Sequence, residues 1–400
     1  MNRTPSAPNP AGRHAGAAGV AAGSPGAGAA ERLRQIDAAR RAVMHEGRSL
    51  GDLALPAWPQ RPWLERSWQR CLSSGQRPGD PVGFDLVTDA ARRRTLEASH
   101  ALVTAAQPAL QRLARAIAST RYFAILTDAQ GIVVDSHGAI DRSDRRASLI
   151  TRVGVDLSER SVGTTAIGAV LHEQAPVWLH RGEHFFDATS VYSCAGAPLF
   201  GPDGRCIGML DLTGIEAQER PELQHLALQS ARSIENALLL AQPHALLLRL
   251  NWPGHPLGSD SDGLACLNAD GWVTGANAVA RQMVSALTAL PHGPVHASEL
   301  FAMPWEGLFD SLRLGQPLEV PLWSGLRLMA LPRRQGEAAT AQVGQAERVP
   351  LKDIEVELIR KAVRDAQGNV MEAARRLGIS RATIYRKLGA PASRRGRGTD

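Results

Sequence analysis

Ala195-Gly-Ala-Pro-Leu-Phe-Gly-Pro-Asp-Gly-Arg-Cys-Ile-Gly-Met-Leu-Asp-Leu212 is a pair of apolar runs around a turn. Ala195–Phe200 and Cys206–Leu212 are strand-length segments, and Gly201-Pro-Asp-Gly204 joins them. Pro202 presets the backbone of a tight turn and Gly204 takes the positive φ that closes it. The stretch therefore predicts an antiparallel β-hairpin.

Working outward, the same punctuation recurs. Upstream, Tyr122–Leu126 is apolar, Asp128-Ala-Gln-Gly131 turns and Ile132–Val134 returns, which predicts another hairpin. Between the two hairpins, Gly163-Thr-Thr-Ala-Ile-Gly-Ala-Val-Leu171 reads as a helix whose glycines mark close packing or a ligand edge, and Ala175–Leu179 as a strand. Downstream, Pro221–Leu240 reads as a closing helix with Leu223, Leu226, Ile234 and Leu238 on one face. A further block repeats the style on a smaller scale. Gly263–Leu267 is a strand, Asn268-Ala-Asp-Gly271 a turn, and a helix runs from about Asn277 to Leu287. Leu318–Leu322 and Leu326–Leu331 then flank Ser324-Gly325 as a late hairpin. At the other end, residues 1–30 hold ten Ala, six Gly and four Pro and predict a disordered tail. From Glu31 to about Ala90 the chain reads as helical, and one long amphipathic helix is expected from about Asp89 to Ala118.

Charge is distributed unevenly. All three lysines (Lys352, Lys361, Lys387) lie near the C-terminus, in segments without the glycine pattern of a phosphate-cradling loop. A P-loop ATPase is thereby excluded, as is a lysine Schiff-base enzyme built on the body of the chain. The formal net charge of +6 falls entirely on Pro350–Asp400, where twelve Lys/Arg face six Asp/Glu. A polyanion-binding module on a neutral body is implied. Cys71, Cys194, Cys206 and Cys266 form no CxxC pair, which suggests reduced thiols. The longest apolar run, Ala237–Leu250, is interrupted by Gln242, Pro243, His244 and Arg249, and the N-terminus lacks the apolar core of a secretory signal. The expectation is a soluble, cytoplasmic protein.

The basic end carries the most specific pattern. Ile354, Leu358, Ile359, Ala362, Val363 and Ala366 recur at helical spacing. Gly368 ends that helix, and Asn369 with Glu372 three residues on forms a capping-box arrangement. A second helix, Val370–Leu377, presents Val370, Ala373, Ala374 and Leu377 on its apolar face. Gly378-Ile379 turns, and Ser380 caps a third helix, Arg381–Leu388, with Ile384 and Leu388 inward. Arg381, Thr383, Tyr385, Arg386 and Lys387 are left outside. Two short helices about a glycine turn, with cations and hydroxyls near the start of the second, meet the requirements of helix-turn-helix readout of double-stranded DNA.

The run Gly368–Leu388 resembles the Fis-type helix-turn-helix that ends bacterial enhancer-binding regulators. By position, that resemblance puts Ser380, Arg381, Thr383, Tyr385 and Arg386 on DNA and implies a homodimer, to which the helix at 351–366 contributes. Residues 63–240 resemble the GAF-type sensor of the acetoin-catabolism-regulator branch of those proteins. The matching text is Arg66-Ser-Trp-Gln-Arg-Cys-Leu72, Leu126-Thr-Asp-Ala-Gln-Gly131, Ser161-Val-Gly-Thr-Thr-Ala-Ile-Gly168, Gly182-Glu-His-Phe185 and Pro198-Leu-Phe-Gly-Pro-Asp-Gly204. Residues 261–331 resemble a PAS-like fold through Asp270-Gly-Trp-Val-Thr-Gly-Ala-Asn277 and the late hairpin. In that family an AAA+ ATPase stands between sensor and DNA reader. Here a short linker occupies the place, with no Walker loop and no GAFTGA-like loop for sigma-54.

The expected architecture is therefore α+β and multidomain. It comprises a disordered tail (1–30), a helical segment (31–90), a GAF-type sensor (91–243), a PAS-like antiparallel-sheet domain (244–332), a linker (333–349), an all-α Fis-type helix-turn-helix (350–390) and a basic tail (391–400). His180-Arg-Gly-Glu-His184 fits the HxxEH pattern of inverzincins, but it follows a strand and contains Gly182, a helix weakener, whereas the zinc chemistry needs both ligands on a helix. The same region supplies candidates for a small-molecule site, namely Trp178, His184, Phe185, Gly163 and Thr164, with core and loop packing as the competing role. No catalytic arrangement, metal site or cofactor motif is expected. The predicted function is sequence-specific transcriptional regulation. The GAF-type domain would sense a small-molecule effector or partner, and the protein would act by occupancy or by recruiting RNA polymerase or another regulator, without ATP-driven sigma-54 remodelling. An accessory sensor working through a partner regulator is the alternative, and a zinc hydrolase the third.

Overall fold

The computed structural model describes residues 25–52 and 61–335, together with Val370, Met371, Ala374 and Ile384. The predicted hairpins are present and belong to one five-stranded antiparallel sheet. Its strands are β1 (Tyr122–Asp128), β2 (Val133–Gly138), β3 (Val177–His180), β4 (Tyr192–Phe200) and β5 (Cys206–Ile215), in the order β2-β1-β5-β4-β3. The turns work as their residue types demand. Gly204 takes φ +87° while the Gly201 amide donates to the Arg205 carbonyl at 2.8 Å. At the β1–β2 turn, the Asp128 carboxylate accepts from the amides of Gln130 and Ile132, each at 2.9 Å.

Side chains alternate across this sheet and bury both faces. On one face Leu126, Ala195, Leu210 and Leu212 pack against α4 (His100–Ala116) and α8 (Leu223–Ala241). On the other, Phe123, Ile125 and Met209 meet Ile36, Val43, Leu64 and Trp68 from α1 (Pro25–Met44) and α2 (Pro62–Ser73). The N-terminal helices therefore share the sheet's core. Helix α1 begins at Pro25, inside the stretch expected to be a disordered tail, where a proline followed by an alanine-rich run suits a helix start. The short helices α5 (Arg145–Ile150), α6 (Glu159–Val162) and α7 (Ala166–Glu173) close the same face.

The single helix expected from Asp89 to Ala118 is two, α3 (Asp89–Ala98) and α4, broken at Ser99. Only α4 carries an apolar stripe (Leu102, Ala106, Leu110, Leu113), whereas α3 buries nothing and has no reason to continue in register. The predicted helix through Gly163 is likewise interrupted. Gly163 terminates α6 at φ +67°, and Thr165 caps α7 by accepting from the Gly168 amide.

A second antiparallel sheet contains β6 (Leu246–Asn251), β7 (Gly263–Leu267), β8 (Val273–Ala276), β9 (Leu318–Pro321) and β10 (Arg327–Arg333), in the order β8-β7-β6-β10-β9. Its central strand, β6, went unread in the sequence because its leucines continue the apolar run of α8, and period alone does not separate a buried strand from a buried helix. Helices α9 (Ala278–Met283), α10 (Ala297–Leu300) and α11 (Glu306–Leu314) cover it. Helix α8 joins the two sheets. Leu239 packs with Leu247, Leu264 and Cys266, and the Asn277 side-chain amide donates to Asn236 Oδ1 at 2.8 Å.

Gly336–Asp400 form a separate unit. Of it, Val370, Met371, Ala374 and Ile384 are described; all are helical, and Ala374 and Ile384 are buried as the apolar stripes predict. Residues 1–24, 336–349 and 391–400, and the DNA-facing candidates Ser380, Arg381, Thr383, Tyr385, Arg386 and Lys387, lie outside the described residues.

Candidate ligand-binding site

Between α5 to α7 and the sheet face that α1 and α2 also cover lies a small cavity of about 30 Å³. Ile125, Ile150, Leu157, Val162 and Ile167 give it an apolar wall. Strand alternation sends Tyr192 and Cys194 from β4, and Asp211 and Thr213 from β5, into the same space. His184 enters from the loop after β3. A space of this size holds one or two water molecules, and the convergence of polar groups on an apolar wall makes it a candidate site that has to widen to admit anything larger.

Two of those polar groups are incompletely satisfied. Asp211 is 1 % exposed; the Thr213 hydroxyl donates to its Oδ2, while Oδ1 has no hydrogen-bond partner among the described residues. Burial pushes the Asp211 carboxyl up to about 7. His184 is also 1 % exposed. Its Nδ1 lies 2.9 Å from the Arg181 carbonyl, which can only accept, so Nδ1 carries the proton. Nε2 is then a lone-pair acceptor, and it too lacks a partner among the described residues. Burial lowers the imidazole to about 4, so the ring is neutral near pH 7. A buried polar atom without a partner costs about 1–3 kcal/mol, which makes the pair an expensive arrangement for a purely structural core. Burial also holds the Cys194 thiol well above its ordinary value, so it is no ready nucleophile.

The loop bearing His184 is clamped from the N-terminal helices. Glu183, fully buried, pairs with Arg32 of α1 and with Arg61, and accepts from the His180 amide at 2.8 Å. Arg40 of α1 donates to the carbonyls of Gly182 and His184 and pairs with Asp187 at 2.6 Å. The Trp68 indole donates to the Glu183 carbonyl at 2.9 Å. The HxxEH carboxylate is therefore committed to two guanidiniums, and its segment is a 3-10 turn rather than an α-helix. The two imidazoles also part company. His180 hydrogen-bonds Ser193 Oγ at 2.8 Å and stacks on Trp178, whereas His184 points into the cavity. Among the described residues no group of three or more His, Cys, Asp or Glu side chains is placed to hold a metal.

Of the residues singled out from sequence, His184 lines the cavity. Phe185 is buried behind it, edge-on to Phe186. Gly163 fits beneath that pair, since a Cβ there would lie 3.0 Å from Phe185 Cβ and 2.9 Å from the Phe186 ring. Thr164 Oγ1 lies 2.7 Å from Ser67 Oγ, and the Thr164 carbonyl accepts from the Phe185 amide. These three shape the wall from outside. Trp178 packs on the opposite face with Tyr122, because alternation along β3 turns it away from Val177 and Leu179. Asp211, Thr213, Tyr192 and Cys194 were not picked out. The available signal was Asp211 itself, an acid in the apolar run Met209-Leu-Asp-Leu212 that an antiparallel strand buries on both faces.

The chain combines this α+β body with a C-terminal segment, residues 350–390, that matches the family described as bacterial regulatory protein, Fis family. That combination defines a transcriptional regulator of the helix-turn-helix class. Residues 37–236, half of the chain, match the MimR N-terminal domain, and the chain belongs to that family. Among similar proteins, the acetoin catabolism regulatory protein of Cupriavidus necator is 31% identical over 258 residues, covering 62% of this chain and 37% of that protein. The propane 2-monooxygenase operon transcriptional activator MimR of Mycolicibacterium smegmatis is 30% identical, covering 43% of this chain and 29% of that one. The matched region thus spans 37% and 29% of the length of these two relatives. Among solved structures, the E. coli DhaR(N)–DhaL complex aligns with a TM-score of 0.42 and 18% identity, covering 68% of this chain and 99% of that one. No helix among the described residues is long and apolar enough to cross a membrane.

Proposed function

We propose that the chain is a one-component regulator that binds double-stranded DNA as a homodimer and responds to a small-molecule effector held in the cavity. It acts by occupancy of its operator or by recruiting RNA polymerase or another regulator, without ATP-driven remodelling of a sigma-54 polymerase. The observation that carries the sensor reading is the pair of unpartnered buried atoms, Asp211 Oδ1 and His184 Nε2, lining one chamber. Absence of lysine from the first 351 residues supports independence from a P-loop ATPase within this chain. The named roles of the relatives, in acetoin catabolism and in propane monooxygenase expression, support a small effector.

On DNA, Ser380, Arg381, Thr383, Tyr385, Arg386 and Lys387 form the reading face, with arginine pairing to base edges and phosphates and Thr383 contacting a thymine methyl. Fluorescence anisotropy of the full chain on promoter fragments tests this. Affinity falls steeply with salt, and Arg381→Ala and Arg386→Ala each lose sequence-selective binding. Unchanged binding in both variants would show that the recognition helix has been misassigned. Co-purification with another regulator, without selective DNA binding, would favour an accessory role.

A further inference from the structure

We propose that Phe84 is the door of the ligand site, and that the site is completed when its ring swings out and the inner cavity joins a groove outside it. This rests on the sensor reading above and gives a space of about 30 Å³ a way to take up more than water. A second space, of about 200 Å³, lies against the first and is lined by residues 83–87 with Asp156 and Ser161. Phe84 lines both. The walls also adjoin elsewhere, since Asp156 and Ser161 line the groove while their chain neighbours Leu157 and Val162 line the cavity. A partition one residue thick therefore stands between the two spaces.

Within that partition, Phe84 is the part built to move. Its ring is buried and meets Tyr192 edge-on at 6.3 Å, closing the cavity beside β4. Its backbone sits at φ +49°, a left-handed conformation that is costly for a residue with a Cβ and rare for a bulky one. Such strain persists only where the surroundings enforce it. Here the ties are few. Residues 74–88, between α2 and α3, contain no helix and no strand beyond a single bridge of Leu86 to Val155. The Val87 amide donates to the Gly154 carbonyl at 2.9 Å, and the Asp85 carbonyl accepts from the Asp156 amide at 3.0 Å. Arg152, itself exposed, donates to the Phe84 carbonyl at 2.6 Å. Helix α3, which follows, buries no residue and anchors this strap weakly. Leu157 and Val162 are held more firmly, the first by its amide on the Gly131 carbonyl at 3.0 Å and the second within α6. When the strap swings out, Phe84 leaves the left-handed region, which offsets part of the cost of exposing its ring. The site then comprises the cavity with Asp211 and His184, the space left by the ring, and the groove with its polar rim of Asp85, Asp156 and Ser161.

Two native thiols read the movement. Cys194 lines the cavity with Phe84 and reports its opening, whereas Cys266, fully buried between α8 and the second sheet, reports unfolding of the body. The full chain is treated with methyl methanethiosulfonate in native buffer, and labelling of each cysteine is followed by peptide mass spectrometry. In the wild-type chain Cys194 labels on the order of tenfold faster than Cys266 or more, because a local opening is more frequent than a global one. Phe84→Ala removes the ring, and Arg152→Ala frees the strap with the ring in place. Each raises the ratio of Cys194 to Cys266 labelling severalfold, and the ratio cancels any general loss of stability. A ratio unaltered in either variant would overturn the door and show that the cavity opens elsewhere, leaving it as a ligand site. If Cys194 labels no faster than Cys266 in the wild-type chain, the cavity does not open in the native protein, and the sensor reading falls with the door.

Discussion

Replacing Asp211 with Asn reverses the usual expectation for a buried polar group, because the variant gains stability relative to the wild type as the medium becomes basic. The carboxyl titrates near its ordinary 3.8 when unfolded and is pushed up to about 7 by burial in the native chamber. Its native pKa is raised, so the folded state holds the proton more tightly between those limits. The stabilisation from that proton is complete below about pH 4 and is lost as pH rises through about 7. At about 1.4 kcal/mol per unit, the three-unit shift costs the wild-type fold about 4 kcal/mol once Asp211 is ionised on both sides of the transition. Asn cannot ionise, and its side-chain oxygen still accepts from Thr213. The stability difference should therefore move by about 3 kcal/mol in favour of the variant between about pH 5 and about pH 8.5. Glu235, also buried and pushed up to about 7, titrates identically in both proteins and cancels from the difference. Urea unfolding of the full chain, followed by tryptophan fluorescence at stepped pH, measures it. A difference that stays flat across that range, or one that moves against the variant, would refute the electrostatic account of the chamber.

Other consequences follow from the same region. His184, lowered to about 4 against an ordinary 6.5, contributes stability that is present above about 6.5 and lost as pH falls through 4; His184→Gln should remove about 3 kcal/mol of that acid sensitivity in the same unfolding experiment. Glu183→Gln leaves Arg32 and Arg61 facing a neutral group and should lower stability by about 3–5 kcal/mol, read as a drop in Tm, whereas Asp187→Asn, whose carboxylate is largely exposed, should change Tm little. Gly163→Ala adds a left-handed backbone penalty to a clash with Phe185 and Phe186, and calorimetry should show a loss of about 2 kcal/mol.

The hairpins were legible because their turns are set by single residues. Asn268, like Asp128, accepts from two backbone amides of its own turn, and Gly271 and Gly131 take the positive φ that follows. Ala374 and Ile384 were legible because they belong to stripes at helical spacing. The failures have equally local causes. β6 merged with the end of α8 because a buried strand has no polar alternation to mark it. Trp178 was grouped with His184 by proximity in sequence, although an odd number of strand residues from Leu179 placed it on the other face. Asp211 needed the opposite inference, from an acid where the pattern demanded a hydrocarbon. The clamp of Arg32, Arg40 and Arg61 on the His184 loop joins residues more than a hundred positions apart, which no local pattern records.

Helix α8 has a consequence for how the body folds and comes apart. Leu238 sits in the core of the first sheet, while the adjacent Leu239 sits in the seam with the second, and Asn236 is tied to Asn277 beyond it. Neither sheet can release this helix without opening the other's apolar surface to water. Slow amide exchange should accordingly be shared by β5, α8 and β6 as one cooperative block, with no intermediate in which only one sheet has melted. A fragment ending near residue 243 would carry Leu239 uncovered and should self-associate, so the first sheet is best studied with the second attached.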